Sequence, residues 1–228
     1  MSDHVSRRTA ITRIKRRIFD DVLMPGGFAR IGTNSWVRDL GEIHHAFRLD
    51  HGHGRFTIHW GVVCADATRF MHDDGDVADP QGVKAHYGVL TGTPAWPDRD
   101  LSGESFKLGD DVSPWVVDRW IRVEQIEEIV AASAPAVART EVALRRFQTR
   151  QDVRSYLLES RADRDPRHFF QPNSLALKLK VAAGLAILDG DPAAESLVAE
   201  ATELRKLGGW GADVRIDRLH DALKEMRP

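Results

Sequence analysis

Between residues 43 and 62, apolar and polar side chains alternate on both sides of Gly52-His53, and this pattern constrains the fold more than any other stretch. A strand turns successive side chains to opposite faces, so alternation on both arms of a glycine turn predicts an antiparallel hairpin with one buried face. With the hairpin symmetric about Gly52 and His53, Ile43, His45, Phe47 and Leu49 share the core face with Phe56, Ile58, Trp60 and Val62. The opposite face carries His44, Arg48 and Asp50 beside Arg55, Thr57 and His59. A slip of one residue exchanges the two sets, and the lopsided apolar count fixes the faces more firmly than the individual pairs.

The flanking sequence supplies layers to cover that face. Ile11, Ile14, Ile18 and Val22 recur at steps of three and four with Arg13, Arg16, Arg17 and Asp20 opposite, which predicts an amphipathic helix over 7–24 ended by Pro25-Gly26-Gly27. From Phe28 to Cys64, turns at Gly32-Thr33-Asn34, Asp39-Leu40-Gly41 and His51-Gly52-His53-Gly54 divide a β-branched and aromatic stretch into four antiparallel strands. Residues 66–118 carry Pro80, Pro94, Pro97, Pro114 and an acidic run from Asp73 to Asp79, and read as long loops. Short strands are expected near His86 to Leu90 and near Phe106. Helical periodicity returns after Trp120, continues through Pro135 to Arg146, and resumes from Asp152 to Glu159.

Pro166 to Pro172 reads as a linker. Beyond it, Leu175, Leu177, Leu179, Val181, Leu185 and Leu188 form an apolar helix stopped by Gly190, and Asp191-Pro192 opens the next. No second copy of this helical hairpin recurs at a fixed period, so it is not a solenoid. A last helix covers roughly Arg215 to Met226. The expected architecture is therefore α+β: an antiparallel sheet of four to six strands packed by helices over 1–165, followed by a C-terminal helical hairpin in an extension over 166–228.

Composition excludes several function classes. With 32 Lys+Arg against 34 Asp+Glu the net charge is -2, so no global field draws the chain to nucleic acid, which is not expected as a partner. The arginine-rich stretches Arg7 to Arg17 and Arg139 to Arg154 lack the interleaved aromatics of a single-strand platform and read as solvated helix faces. No apolar stretch approaches the ~20 residues of a membrane span, and the start of the chain lacks a signal-like apolar segment. The lone Cys64 cannot form an internal disulfide and fits a reducing, cytoplasmic setting; at the end of an apolar strand it reads as packing rather than as a nucleophile.

No sequence motif fixes a chemistry. Six of the ten histidines (His44, His45, His51, His53, His59 and His72) lie close together, and the symmetric hairpin places His44 diagonally beside His59 with Asp50 further along. An N/O-ligand metal site is conceivable there, but no helical His-Glu-x-x-His or other fixed spacing demands one, and no metal or cofactor is expected. His45, on the core face, reads as a buried histidine bonded to a neighbour. Gly-x-Ser-x-Gly, a phosphate-binding loop and the dinucleotide fingerprint are missing; Gly52-His53-Gly54 fails the last because no helix follows. Three of the six tryptophans, Trp96, Trp115 and Trp210, sit beside proline or glycine, where they suit anchoring of a partner.

The order of several short motifs resembles a known family. The first helix, Gly27-Phe28-x-Arg30-x-Gly32, Trp36-Val37-Arg38, Phe56-Thr57-Ile58-His59-Trp60-Gly61-Val62, His86-Tyr87-Gly88-Val89-Leu90, Asp118-Arg119-Trp120 and Ala134-Pro135 resemble the bacterial domain of unknown function family 4304 over roughly residues 7–160. The resemblance implies a bacterial α+β domain and carries over no activity, cofactor or site residue. The proline-rich segment Pro94 to Pro114 and the helices after about residue 165 depart from it. Two expectations follow. The first is a non-enzymatic protein-interaction module, of the kind used against toxins or phage, with a protein partner. The second is a small-ligand binder or enzyme using His44, Arg48, Asp50, Thr57 and His59, where arginine clamps an anion and histidine moves a proton.

Overall fold

The computed structural model of the chain describes residues 4–52, 55–68, 70, 88–92, 120–159, 175–207 and 214–226. A short strand, β1 (His4–Ser6), leads into α1 (Arg7–Lys15), where the Ser6 hydroxyl caps the first turn by accepting from the Thr9 N–H at 3.2 Å. The helix widens into a π-helical segment at Arg16–Asp20 before α2 (Asp21–Leu23) and a 3-10 turn at Met24–Gly26. Within the widened segment Phe19 stacks on Trp36 with ring centroids 4.2 Å apart, and the Trp36 indole N–H donates to Asp20 Oδ1 at 2.7 Å. Gly27, at φ +85°, then reverses the chain as the Pro25-Gly26-Gly27 sequence predicts.

Five strands form one antiparallel sheet in the order β2 (Ala29–Ile31), β3 (Ser35–Asp39), β4 (His44–Gly52), β5 (Arg55–Val63) and β6 (Leu90–Gly92). The architecture is α+β, with helices packed on the sheet and a helical C-terminal region. Of the strand expected near His86 to Leu90, β6 begins at Leu90 while His86 and Tyr87 lie outside the described residues, as does the one expected near Phe106. A separate two-stranded ribbon pairs β1 with β7 (Trp120–Arg122). Strands of three residues carry too little alternation to be read from sequence.

The hairpin keeps its predicted faces but not its predicted pairs. Phe47 lies opposite Trp60, Leu49 opposite Ile58 and Gly52 opposite Arg55, two residues away from a hairpin symmetric about Gly52 and His53. A two-residue shift leaves every side chain on its original face, which is why the face assignment survives. Ile43, His45, Phe47, Leu49, Ile58, Trp60 and Val62 are all buried against the helices. The shift does, however, separate His44 from His59: His59 lies across from Arg48, whereas His44 lies across from Val63.

After β5 a short α3 (Ala65–Thr68) follows, and β7 runs into α4 (Val123–Leu144). α4 passes through Pro135 without stopping. Pro135 sits on the exposed side, so its missing N–H and its ring face solvent rather than the core. A capping box between Thr149 and Asp152 starts α5 (Arg150–Leu158). α6 (Leu175–Leu188), buried on most sides and apolar apart from the buried Lys178 and Lys180, is enclosed by α3, α5, α7 (Ala193–Leu207) and α8 (Val214–Met226). Asp191 opens α7 by accepting from the Ala193 N–H at 2.8 Å. Arg150 and Arg154 of α5 hold the α6–α7 turn through Asp189 and Asp191 at 2.7 and 2.6 Å. The expected boundary at 165–166 lies outside the described residues, and among these no helix is long and apolar enough to cross a membrane.

α6 approaches the segment after α3 so closely that a Cβ on Gly184 would stand 2.8 Å from Phe70 Cδ2. Gly184→Leu should therefore cost about 1–3 kcal/mol of stability through overpacking. Urea unfolding checks this as a lower midpoint at unchanged slope.

Candidate functional site

Two clusters of titratable side chains stand on opposite faces of the sheet. The outer cluster is built by the β4–β5 pairing, which puts Arg48 opposite His59 and Asp50 opposite Thr57. Arg48 Nε donates to Asp50 Oδ1 at 2.6 Å, and His59 Nε2 lies 3.4 Å from Asp50 Oδ2. The carboxylate thus holds the guanidinium by its Nε and faces the imidazole with its other oxygen. Side-chain exposures of 29% for Arg48, 30% for His59 and 40% for Asp50 place the row half-buried rather than in bulk solvent. Toward the other end of the same face, Val37, Ala46 and Val63 form a small buried apolar cluster with Ile31 packed on it.

Of the five outer-face residues expected to form a site, the structure brings together Arg48, Asp50 and His59. Thr57 occupies its expected strand position, and its side chain lies outside the described residues. His44 is not part of the cluster, which corrects the diagonal His44–His59 placement. It stands beside Asp39, with Nδ1 3.2 Å from Oδ1 but without hydrogen-bond alignment. Trp96, Trp115, Trp210, His53 and His72 lie outside the described residues, as do the side chain of His51 and the acidic run from Asp73 to Asp79. Among the described residues, no three His, Cys, Asp or Glu side chains are grouped to hold a metal ion.

Electrostatics tune the outer row. Burial lowers the pKa of His59, and Arg48 lowers it further against the opposing pull of Asp50, so the imidazole is neutral at neutral pH. Among the described residues, only Nε of Arg48 is hydrogen-bonded, which leaves its two terminal nitrogens as an oriented fork. A planar guanidinium in that state matches a carboxylate or phosphate edge with two parallel N–H donors. Cys64 offers no comparable chemistry, because it is fully buried and burial pushes its thiol upward, away from thiolate.

The inner cluster was not anticipated beyond His45 itself. His45 is fully buried; its Nδ1 lies 2.7 Å from Arg38 Nη2, and its Nε2 lies 2.7 Å from the Phe147 carbonyl. Arginine has only donors, so Nδ1 must accept and Nε2 must carry the hydrogen donated to Phe147, which fixes a neutral tautomer. Arg38 also donates through Nη1 to Glu141 Oε1 at 2.7 Å and to the Gly26 carbonyl at 3.0 Å, with its guanidinium 4.8 Å above the Phe28 ring. Burial alone would raise the Glu141 carboxyl, but hydrogen bonds from Arg145 and Arg38 outweigh it and hold it below the usual carboxylate range. Two patterns point to this cluster: Arg38 shares the inward face of its strand with Trp36, and Glu141 falls on the stripe of Ile126, Val130, Val137 and Leu144.

Compared with protein-family models, curated proteins and solved structures, the chain finds no match.

The arrangement on the outer face sets the sign of two perturbations. The His59 titration midpoint should lie below the ordinary 6.5. Arg48→Gln should raise that midpoint and Asp50→Asn should lower it further, both followed by imidazole NMR across pH 4 to 8. A wild-type midpoint at or above the ordinary value contradicts the described environment.

Proposed function

We propose that the chain is a binding protein whose outer sheet face takes the anionic group of a small ligand, a carboxylate or a phosphate. The observation that carries this reading is the Arg48 fork: Asp50 orients the guanidinium from its Nε side, and among the described residues neither terminal nitrogen is hydrogen-bonded. The neutral His59 beside it supplies a ring nitrogen that selects for a ligand donor or acceptor next to the anion. Half-burial supports the reading, because an arginine-anion pair screened from bulk water gains more than one in full solvent. Docking of a protein partner through Trp96, Trp115 and Trp210 rests on side chains outside the described residues, so the small-ligand reading, which rests on Arg48, Asp50 and His59, is preferred. Resemblance to the family of unknown function adds a proposed bacterial kinship and no chemistry.

The test is a thermal-shift panel of mono- and dicarboxylates, inorganic phosphate and phosphate monoesters on the full chain. A ligand at 100-fold over its Kd should stabilise by about 2.7 kcal/mol, a rise of roughly 5–10 °C for a chain of this size. Arg48→Gln should abolish that rise, and Arg48→Lys should weaken it, since lysine cannot present the planar fork. A panel that gives no shift, or a shift that survives Arg48→Gln, overturns the proposal.

A further inference from the structure

We propose that His45 is a pH-sensitive latch fastening the sheet to the α4–α5 corner, closed while the imidazole is neutral and released when it takes a proton. The geometry is a chain of single-direction hydrogen bonds. Arg38 of β3 donates to Nδ1, and Nε2 donates to the Phe147 carbonyl in the corner between α4 and α5. The same Arg38 ties β3 to Glu141 of α4 and to the Gly26 carbonyl at the end of the first helical segment. One imidazole therefore joins three layers, and nothing in the bond pattern substitutes for its acceptor nitrogen.

Protonation reverses that nitrogen. Nδ1 becomes a donor facing the Arg38 donor at 2.7 Å, and two cations meet where His45 is fully buried and the Arg38 side chain is 12% exposed. One of them must leave. Arg38 stays, held by the Gly26 carbonyl and by the Glu141 carboxylate, so the imidazolium is the one that withdraws, and its Nε2–H comes off the Phe147 carbonyl. The charged groups facing His45 are Arg38 from β3 and Glu141 from α4, with His44 adjacent on β4 but turned to the opposite face of the sheet. Burial and Arg38 outweigh the Phe147 carbonyl and Glu141, and hold the folded-state pKa at about 4 against an ordinary 6.5. Because the folded value is depressed, the unfolded chain binds more protons in this window. The latch therefore contributes its full stability above pH 6.5 and loses it as pH falls toward 4.

The experiment compares wild type with His45→Gln by urea unfolding at pH 7.5, 6.5, 5.5 and 4.5, with amide exchange of the Leu144 to Thr149 corner measured at pH 7.0 and 5.0. Glutamine keeps an acceptor for Arg38 and a donor for Phe147 but does not titrate. Wild type should lose up to about tenfold in folding equilibrium per pH unit more than the variant across the window. The corner should open in acid in wild type alone, while exchange in β4 and β5 stays unchanged once corrected for intrinsic rates. Equal pH dependence in both chains overturns the proposal, as does acid opening that is uniform over the molecule. Should the variant fail to fold, imidazole 15N NMR of wild type decides: a buried Nε2–H tautomer unprotonated at pH 5.5 supports the latch, and titration near 6.5 in the folded chain overturns it.

Discussion

The seam between sheet and helices depends on Arg38, a cation whose side chain is only 12% exposed. Arg38 cannot lose its charge, so its terminal N–H groups need acceptors, and they find them in the Gly26 carbonyl, the Glu141 carboxylate and the acceptor nitrogen of His45, with the Phe28 ring against the guanidinium face. The same demand fixes an ionised Glu141 and a neutral His45 in one seam. Within this cluster the Arg38 Nε has no hydrogen-bond partner among the described residues. Removing one member of such a set leaves the others buried and unpaired, so the cluster specifies how α4 lies on the sheet as much as it stabilises it.

Much of the fold is legible in the sequence because most elements obey a single period. The hairpin faces, the first helix with its glycine stop and the Asp191 start of α7 all follow from alternation, helical spacing and cap chemistry. Register is less legible: a shift of two residues preserves every face, so hydrophobic alternation alone cannot decide between pairs that differ by two. That ambiguity is what set His44 beside His59 and concealed the cross-strand pair Arg48–His59. The β1–β7 ribbon escapes for a different reason, since three residues pair by position in the fold and not by pattern.

The inner cluster was partly readable. A glutamate on an apolar helical stripe and an arginine sharing a strand face with a buried tryptophan each violate the binary pattern, and two violations of opposite charge predict each other as partners. What sequence does not contain is the distance between them: Arg38 and Glu141 are 103 residues apart along the chain and meet only because α4 passes beside Gly26. The outer row is the converse case. Its residues were visible as a set, and only the folded pairing shows that Asp50 orients Arg48 and leaves the fork open.

The two clusters divide the labour of the sheet: the inner one closes on itself and holds the layers together, while the outer one is oriented but incomplete. NMR of the arginine side chains tests that division most directly, by following the Arg48 guanidinium while inorganic phosphate or a dicarboxylate is added. The account predicts that the Nε–H signal keeps its hydrogen-bonded position, held by Asp50, while the terminal N–H groups shift and slow their rotation with His59 responding alongside. Shifts confined to other arginines, or an Nε–H that leaves Asp50 to reach the ligand, would contradict it.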